Sequence, residues 1–317
     1  MSRNDSRSDR RDGELTLPLV SELPGGENFV RHSPSQPVDP QPPGRPWADP
    51  RIASGRDRVR HTVLVRERGY RMSEAEQRLL TTVGTFRTVA IDDLVRYQYA
   101  NNRRQLAQDL RSLKGQGLIR THRIMVGPRG EVLEVLALSR KAKALLIALG
   151  SEDGRQIRHV GLVKPREIAH DAALYRMYEA EASQIRSRGG AIRRVVLDHE
   201  LKATIYAALA KARSLPRFDY TRVQGEIARA NGLPVTGSRI LLPDLRLEYQ
   251  TENGDLRKVD LELATRHYHG AYALGKARVG FKLYADGPSA ARLEALLTPG
   301  RAAVPEGPGL TDAILSL

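Results

Sequence analysis

The sequence predicts a mixed α/β (α+β) fold, in which a mainly helical domain with one β-hairpin precedes a small mixed sheet flanked by helices. Residues 72–150 hold three helical stretches, two strand-length runs and a closing helix, whereas residues 160–300 alternate strands with helices. Residues 1–60 hold nine of the 18 prolines and few apolar clusters, which predicts a disordered tail. Residues 61–70 are predicted as one strand or an extended arm, and residues 301–317 as a C-terminal tail.

The first domain is defined by its helix caps. Ser73 and Glu76, three residues apart, form a capping box that begins the first helix. A second short helix follows, and a third begins at Asn101 or Asn102. Two strand-like runs are joined by the turn GPRG, and Ser139 then caps a last helix. Three helices, a hairpin and a closing helix predict a winged helix-turn-helix.

The second domain opens with a long helix that begins at Pro165 and ends at a Gly-Gly pair. The segment AIRRVVLD is predicted as a strand, and two helical stretches separate it from the hairpin LLPDLRLEYQTENGDLRKVDLELA, whose turn is ENGD. Residues 271–287 are predicted to contain a helix, and residues 288–297 another. This order of elements predicts a small mixed sheet with helices against it.

The chain carries a net charge of +14 and has a pI near 10.2. Residues 71–166 contribute 18 basic and 9 acidic residues, a net charge of +9. A basic excess this concentrated indicates a polyanionic partner, and double-stranded DNA is the predicted one. No apolar run is long enough to span a membrane and no signal segment opens the chain, so a cytoplasmic location is predicted. The lack of cysteine excludes disulfides and thiolate-metal sites.

The third predicted helix has an apolar and a polar face. Leu106, Leu110 and Leu113 are predicted to lie inward. The opposite face carries amide and guanidinium groups, which can read base edges and hold phosphates. The predicted DNA contacts are Asn101, Arg103, Arg104, Gln108, Arg111 and, at the hairpin tip, Arg129. The alternatives are an ordinary solvated helix face and a winged helix that binds protein.

Strand alternation places carboxylates on one face of the later hairpin. Asp244 on the first strand and Glu262 on the second can share that face, while the leucines pack on helices. Mg²⁺ prefers oxygen ligands, and two carboxylates on adjacent strands can hold it while waters complete its octahedron. The alternative is a solvated charged face, which antiparallel hairpins often have.

The Pro-Asp dipeptide at Asp244, followed by Glu262, resembles the core of the PD-(D/E)xK nucleases. The resemblance implies that both carboxylates are catalytic Mg²⁺ ligands and that a lysine holds a phosphate or the attacking water. The sequence departs from the pattern because Ala264 stands at the lysine position. Lys276 on the next helix is the predicted substitute and Lys258 the second candidate. Without such a lysine, the domain is a non-catalytic relative.

Two further residues are candidates for this site. Glu200 is predicted as a third acidic metal ligand, and the alternative is a carboxylate that interacts with the helix dipole. His170, early in the long helix, is interpreted as a half-buried histidine with its hydrogen bonds satisfied.

The whole arrangement, over roughly residues 73–285, resembles the replication-relaxation family of plasmid and mobile-element proteins. The resemblance rests on LSRKAKALL after the first hairpin, on His170-Asp171, on LDHEL with Glu200, and on PDLRLEY…VDLELATR…GK. Relatives tend to carry an acidic residue where this chain has Ala264. Membership implies a role in plasmid replication or mobilisation at or near an origin, and some relatives are proposed to nick or relax DNA.

Two functions from different classes follow. The first is a DNA-binding protein with a Mg²⁺-dependent nicking or relaxing nuclease half. The second is a non-catalytic winged-helix regulator of transcription or replication, whose degenerate α/β half forms a homodimer; Ala264 favours it. A third interpretation is an assembly factor whose winged helix binds protein.

Overall fold

The structure is a computed structural model of the chain. It describes residues 59–126, 130–150, 156–214, 219–237, 239–264, 270–286, 290 and 312–315. Residues 1–58 of the tail predicted at 1–60, the hairpin tip with Arg129, and nearly all of the helix predicted at 288–297 therefore lie outside the described residues.

The fold is mixed α/β, as predicted, with helices packed on several small sheets. The helices are α1 (Glu74–Phe86), α2 (Ile91–Asp93), α3 (Arg103–Gly115), α4 (Arg140–Ala148), α5 (Pro165–Ser187), α6 (Asp198–Arg213), α7 (Tyr220–Ala230) and α8 (Gly270–Arg278). The strands are β1 (His61–Val65), β2 (Arg68–Met72), β3 (Val89–Ala90), β4 (Ile119–Val126), β5 (Glu131–Leu138), β6 (Ala191–Leu197), β7 (Val235–Thr236), β8 (Arg239–Ile240), β9 (Leu245–Gln250), β10 (Leu256–Ala264), β11 (Lys282–Asp286) and β12 (Asp312–Leu315).

The strands form four sheets within the described residues. The largest has the order β12-β11-β10-β9-β6, and β10 runs parallel to β11 while the other neighbouring pairs are antiparallel. A three-stranded sheet has the order β3-β5-β4. The pairs β1-β2 and β7-β8 complete the set. The parallel step is made by α8, which carries the chain from the end of β10 back to the start of β11.

Side-chain caps set the helix starts of the first half. The Ser73 hydroxyl accepts from the Glu76 backbone N–H and the Glu76 carboxylate accepts from the Ser73 N–H, so the predicted capping box is confirmed. The side chain of Asn102 caps α3. Ser139 caps α4, as predicted. The short second helix is one α-helical turn that continues as a π-helical turn over Leu94–Gln98.

The expectation of one strand or an extended arm at residues 61–70 is wrong. The segment forms the antiparallel pair β1-β2, which is joined by a two-residue turn. Arg66 and Glu67 adopt positive φ angles of 47° and 65° there. Such a turn matches the twist of the two strands, so the chain reverses without glycine.

In the C-terminal region, the helix predicted within residues 271–287 is confirmed as α8. The same stretch also contains the strand β11, which was not predicted, because the helix ends at Arg278 and Lys282 begins a strand beside β10. The predicted tail at 301–317 contains β12, which pairs with β11 at the edge of the large sheet. Four residues carry too weak a pattern to predict a strand, so pairing with β11 decides this one.

The two halves share one hydrophobic core among the described residues. Phe86 at the end of α1 packs against the rings of Tyr175 and Tyr178 on α5, at centroid distances of 5.2 and 4.9 Å. Arg87 reinforces this contact through ion pairs with Glu167 and Asp171 of α5. Helix α1 therefore rests directly on the helix that covers the large sheet.

The segment at 156–161 also joins the two halves. The side-chain amide of Gln156 bonds both the backbone N–H and the carbonyl of Val195 on β6, each at 2.9 Å. Arg158 donates to the Thr85 hydroxyl on α1, and the His159 backbone N–H donates to the Gly84 carbonyl at 2.7 Å. This short segment is thus hydrogen-bonded to α1 and to the large sheet.

Candidate functional sites

The carboxylates predicted to form a metal site meet at one end of the β9-β10 hairpin. The register pairs Lys258 with Glu248 and Asp260 with Arg246, and continuing it by two residues sets Asp244 opposite Glu262. Two hydrogen bonds lock this corner: the Asp244 backbone N–H donates to Glu262 Oε2 at 3.3 Å, and the Leu263 N–H donates to Asp244 Oδ2 at 2.9 Å. The predicted shared face is present.

Lys276 completes this corner from α8. Its Nζ lies 2.5 Å from Glu262 Oε1 and donates to the Leu242 carbonyl at 2.7 Å. The rings of Tyr272 and Phe281 flank the ammonium at 5.0 and 5.5 Å. Each side chain of the Lys276–Glu262 pair is only 4% exposed. An ammonium group therefore reaches Glu262 from a neighbouring helix.

Two sequence positions explain why the ammonium comes from α8. Ala264 is buried at the end of β10, where no charged side chain could sit without a partner. Lys258, the second candidate, lies four residues before Glu262 along β10. Its Nζ donates to the Gly232 carbonyl at 3.1 Å. The structure thus brings Lys276 to the carboxylates and leaves Lys258 at the other end of the hairpin.

His170 on α5 also faces the corner. Its Nε2 lies 3.6 Å from Asp244 Oδ1, and its Nδ1 lies 3.5 Å from Asp171 Oδ1. Hydrogen bonds to these two carboxylates, to Asp171 first, raise the pKa of His170 to about 10 against the cost of burial, so the imidazole is protonated at neutral pH. The sequence shows the His-Asp pair early in the helix, but not that the helix crosses the hairpin at Asp244.

The structure does not bring Glu200 to this corner. Of the described residues, the only cluster of three or more histidine or acidic side chains whose ligand atoms all lie within 4.8 Å of one another is His159, His199 and Glu200. The Glu200 carboxylate lies 3.3 Å from Arg194 Nη2 and 3.7 Å from His159 Nε2. Glu200 is the third residue of α6, so its carboxylate turns back to accept from the Leu197 backbone N–H and lies beside Arg194 and His159, away from Asp244 and Glu262.

His159 was not anticipated by the sequence. It lies in a short polar segment with no helical or strand period, and its partners His199 and Glu200 come 40 and 41 residues later in the chain. Burial lowers the pKa of His159, which leaves its imidazole neutral at pH 7. Its ring meets that of His199 edge-on, with the centroids 4.5 Å apart.

The middle of the hairpin's charged face is buried, so the alternative of a solvated face does not hold at Arg246 and Asp260, whereas Lys258 nearer the turn is exposed. Arg246 is 4% exposed, and its guanidinium makes a bidentate pair with Asp260 at 2.6 and 2.8 Å. It also donates to the carbonyls of Asn231 and Gly232, at the end of α7. The C-terminus of α7 therefore covers this face.

The third helix presents the predicted polar face. Leu106, Leu110 and Leu113 are buried, as predicted. The opposite face is open to solvent at Asn101, Arg103, Arg104, Gln108 and Arg111. Asp109 is buried between the two faces and accepts from the Tyr99 hydroxyl at 2.9 Å. All three arginines of this face are exposed, and Arg103 also forms an ion pair with Asp92 at 2.5 Å.

A basic cleft lies on the same half of the molecule. It has a volume of about 710 Å³ between the end of α3, the start of β4 and the start of α4. Its lining includes four cationic side chains: Lys114, Arg120, Arg140 and Lys141. The predicted basic surface is therefore continued beyond the third helix.

Comparisons of the chain with family models, with curated proteins and with solved structures found no match. Among the described residues, no helix is both long enough and apolar enough to cross a bilayer.

Proposed function

We propose that the chain binds double-stranded DNA through a winged helix-turn-helix at residues 72–150 and cleaves one strand at the Asp244–Glu262 corner with the help of Mg²⁺. The observation that carries this proposal is the meeting of two carboxylates and a buried lysine at one end of a hairpin in a mixed sheet. The family resembled in sequence, the replication-relaxation proteins, fits the same combination.

The donor set of the corner suits Mg²⁺. Each carboxylate keeps one oxygen on a backbone N–H and presents the other to a cationic side chain, Lys276 for Glu262 and His170 for Asp244. Asp244 and Glu262 would hold a hard divalent cation through these outer oxygens, in place of their cationic partners. Bound Mg²⁺ supplies Lewis acidity towards a phosphodiester and lowers the pKa of a bound water.

The chain's own residues supply the remaining requirements. Lys276, displaced from Glu262, has an ammonium that can hold a non-bridging phosphate oxygen or orient the attacking water. The protonated imidazole of His170 is a second cation for the same phosphate. Both side chains come from helices that pack on the sheet, which keeps them beside the carboxylates.

The exposed face of α3 supports the proposed DNA-binding role of the helical half. Arg104, Gln108 and Arg111 lie outward on a helix that follows a short helical turn, which is the placement of a recognition helix in the major groove. The cleft with four cationic side chains gives phosphates a place to bind beside it.

Strand cleavage is tested with supercoiled plasmid, Mg²⁺ and the purified full chain. We expect wild type to convert supercoiled to open-circular DNA, and Asp244→Asn and Glu262→Gln to lose that activity. Asp255→Asn is the matched control, because it removes an exposed carboxylate from the turn of the same hairpin. Absence of nicking by wild type, or equal nicking by Asp244→Asn, would refute the catalytic proposal.

DNA binding is tested separately by titration at several salt concentrations. The double variant Arg104→Ala/Arg111→Ala is expected to weaken binding and to reduce the slope of log K against log salt by about 0.9 for each phosphate that is no longer neutralised. The control Arg222→Ala/Arg229→Ala removes the same charge from the exposed face of α7. Equal weakening by both doubles would show that α3 is not the DNA-binding surface.

The second candidate is a non-catalytic winged-helix regulator whose α/β half dimerises. A specific observation favours it: Lys276 lies 2.5 Å from Glu262, as in a structural ion pair that holds α8 to the sheet. This candidate predicts salt-dependent DNA binding with no nicking at any Mg²⁺ concentration, together with a dimer in sedimentation equilibrium.

A further inference from the structure

We propose a second metal site, built for a divalent transition ion of the Zn²⁺ class, from His159 Nε2, His199 Nε2 and Glu200 Oε1. The ligand atoms of these three residues all lie within 4.8 Å of one another. The site shares no ligand with the Asp244–Glu262 corner, which it adjoins through a hydrogen bond from the Asp198 backbone N–H to the Asp244 carbonyl at 3.1 Å, and it does not rest on the proposed nuclease activity.

Within the described part of the chain, the two imidazoles are not engaged in hydrogen bonds through their candidate ligand nitrogens. His159 Nε2 and both ring nitrogens of His199 are shielded from solvent and lack a hydrogen-bond partner there. A buried polar atom without a partner costs free energy, and such an atom in a native fold calls for an explanation such as an ion. Two histidines in contact, each with an unpartnered nitrogen, are explained by one shared cation.

The chemistry of the set selects the ion. Two imidazole nitrogens and one carboxylate oxygen form a three-residue ligand set of the kind that binds Zn²⁺ and leaves one position open. The chain has no cysteine, so no thiolate competes for a borderline-soft ion. Mg²⁺ and Ca²⁺ prefer oxygen ligands alone, so this ligand set does not favour them.

The surroundings supply the outer shell that such sites need. Glu200 Oε2 lies 3.3 Å from Arg194, which leaves Oε1 towards His159. Asp198 Oδ1 lies 3.7 Å from His199 Nδ1, a carboxylate placed to accept from the nitrogen that does not bind the ion. Carboxylate–histidine–metal arrangements of this kind orient the ring and raise its basicity.

The position of the site gives it a function. His159 belongs to the segment that bonds Gly84 and Thr85 of α1, whereas His199 and Glu200 are in the first turn of α6, directly after β6. An ion bound here cross-links the helical half to the large sheet through side chains 40 residues apart in sequence. The site is therefore a metal clip between the two halves.

The test uses the full chain, stripped with a chelator and dialysed against Zn²⁺ alone. We expect one equivalent to bind with a rise in Tm, and Co²⁺ to give the visible absorption of a low-symmetry nitrogen–oxygen site. His159→Asn and His199→Asn should each lower the affinity by more than the roughly 10–100-fold expected for Asp198→Asn, an outer-shell change.

The matched controls are His122→Asn, on β4, and Asp244→Asn, at the other corner, and both should bind Zn²⁺ as wild type does. X-ray absorption at the zinc edge of the wild-type complex reports the number of imidazole ligands without any variant, and two are expected. No binding, fewer than two imidazoles, or unchanged affinity in both histidine variants would overturn the site. If wild type binds Zn²⁺ in this way but does not nick plasmid DNA, only the nuclease proposal is overturned.

Discussion

The Lys276–Glu262 ion pair buries two opposite charges between α8 and β10, so removing one of them should destabilise the fold strongly. Both side chains are 4% exposed, so Lys276→Met leaves the Glu262 carboxylate buried without its cation. Breaking a buried pair by removing one partner typically costs about 3–5 kcal/mol. Methionine retains the apolar stem between the rings of Tyr272 and Phe281, so little packing is sacrificed. We expect the free energy of unfolding to fall by about 3–5 kcal/mol, measured by urea denaturation.

The double variant Lys276→Met/Glu262→Gln separates the burial of an unpaired charge from the removal of a hydrogen bond. With neither charge buried, the remaining cost is mainly the unsatisfied Leu242 carbonyl, about 1–3 kcal/mol. Lys202→Met is the control, because it breaks the partly exposed Lys202–Asp198 pair, which is worth less than about 1 kcal/mol. A decrease below about 1 kcal/mol in Lys276→Met, or a double variant no more stable than the single one, would refute this reasoning.

Three further predictions concern other parts of the molecule. Arg246→Met should lower the free energy of unfolding in urea by about 3–5 kcal/mol, because it leaves Asp260 and two carbonyls at the end of α7 buried without their partner. Arg222→Ala, which breaks the exposed Arg222–Glu226 pair on α7, should not. His170→Gln should lower the free energy of unfolding by roughly 1–2 kcal/mol at pH 6 and by nearly nothing above pH 10, where the folded state has also lost the proton. Because the pKa is raised in the folded state, this stabilisation is fully present below about pH 6.5. The 34% exposure of the side chain limits its size. A cost independent of pH between about 6 and 10.5 would contradict the ionised His170. Ser73→Ala should lower the unfolding free energy by about 1–2 kcal/mol in the same assay, since it removes one half of the capping box, and an unchanged midpoint would count against that role.

Local chemistry explains what could be predicted from the sequence. The caps at Ser73, Asn102 and Ser139 depend on side chains within three residues of the helix start, so they are readable from the chain alone. The shared face of Asp244 and Glu262 follows from the two-residue period of strands.

Tertiary contacts explain what could not be predicted. Alternation places Arg246 and Asp260 on one face, but only the docking of α7 decides that this face is buried. His159 becomes a neighbour of Glu200 through the hydrogen bonds of its segment to α1 and β6, which no local pattern encodes. The strand at 312–315 likewise depends on the exposed edge of β11.

The contact between Phe86 and the two tyrosines of α5 has a geometric consequence for any DNA complex. Because α1 rests on α5, and the segment at 156–161 bonds both halves, α3 and the Asp244–Glu262 corner belong to one packed unit. If α3 docks on DNA and the corner cleaves it, as proposed, the cut would fall at a constant number of base pairs from the bound sequence.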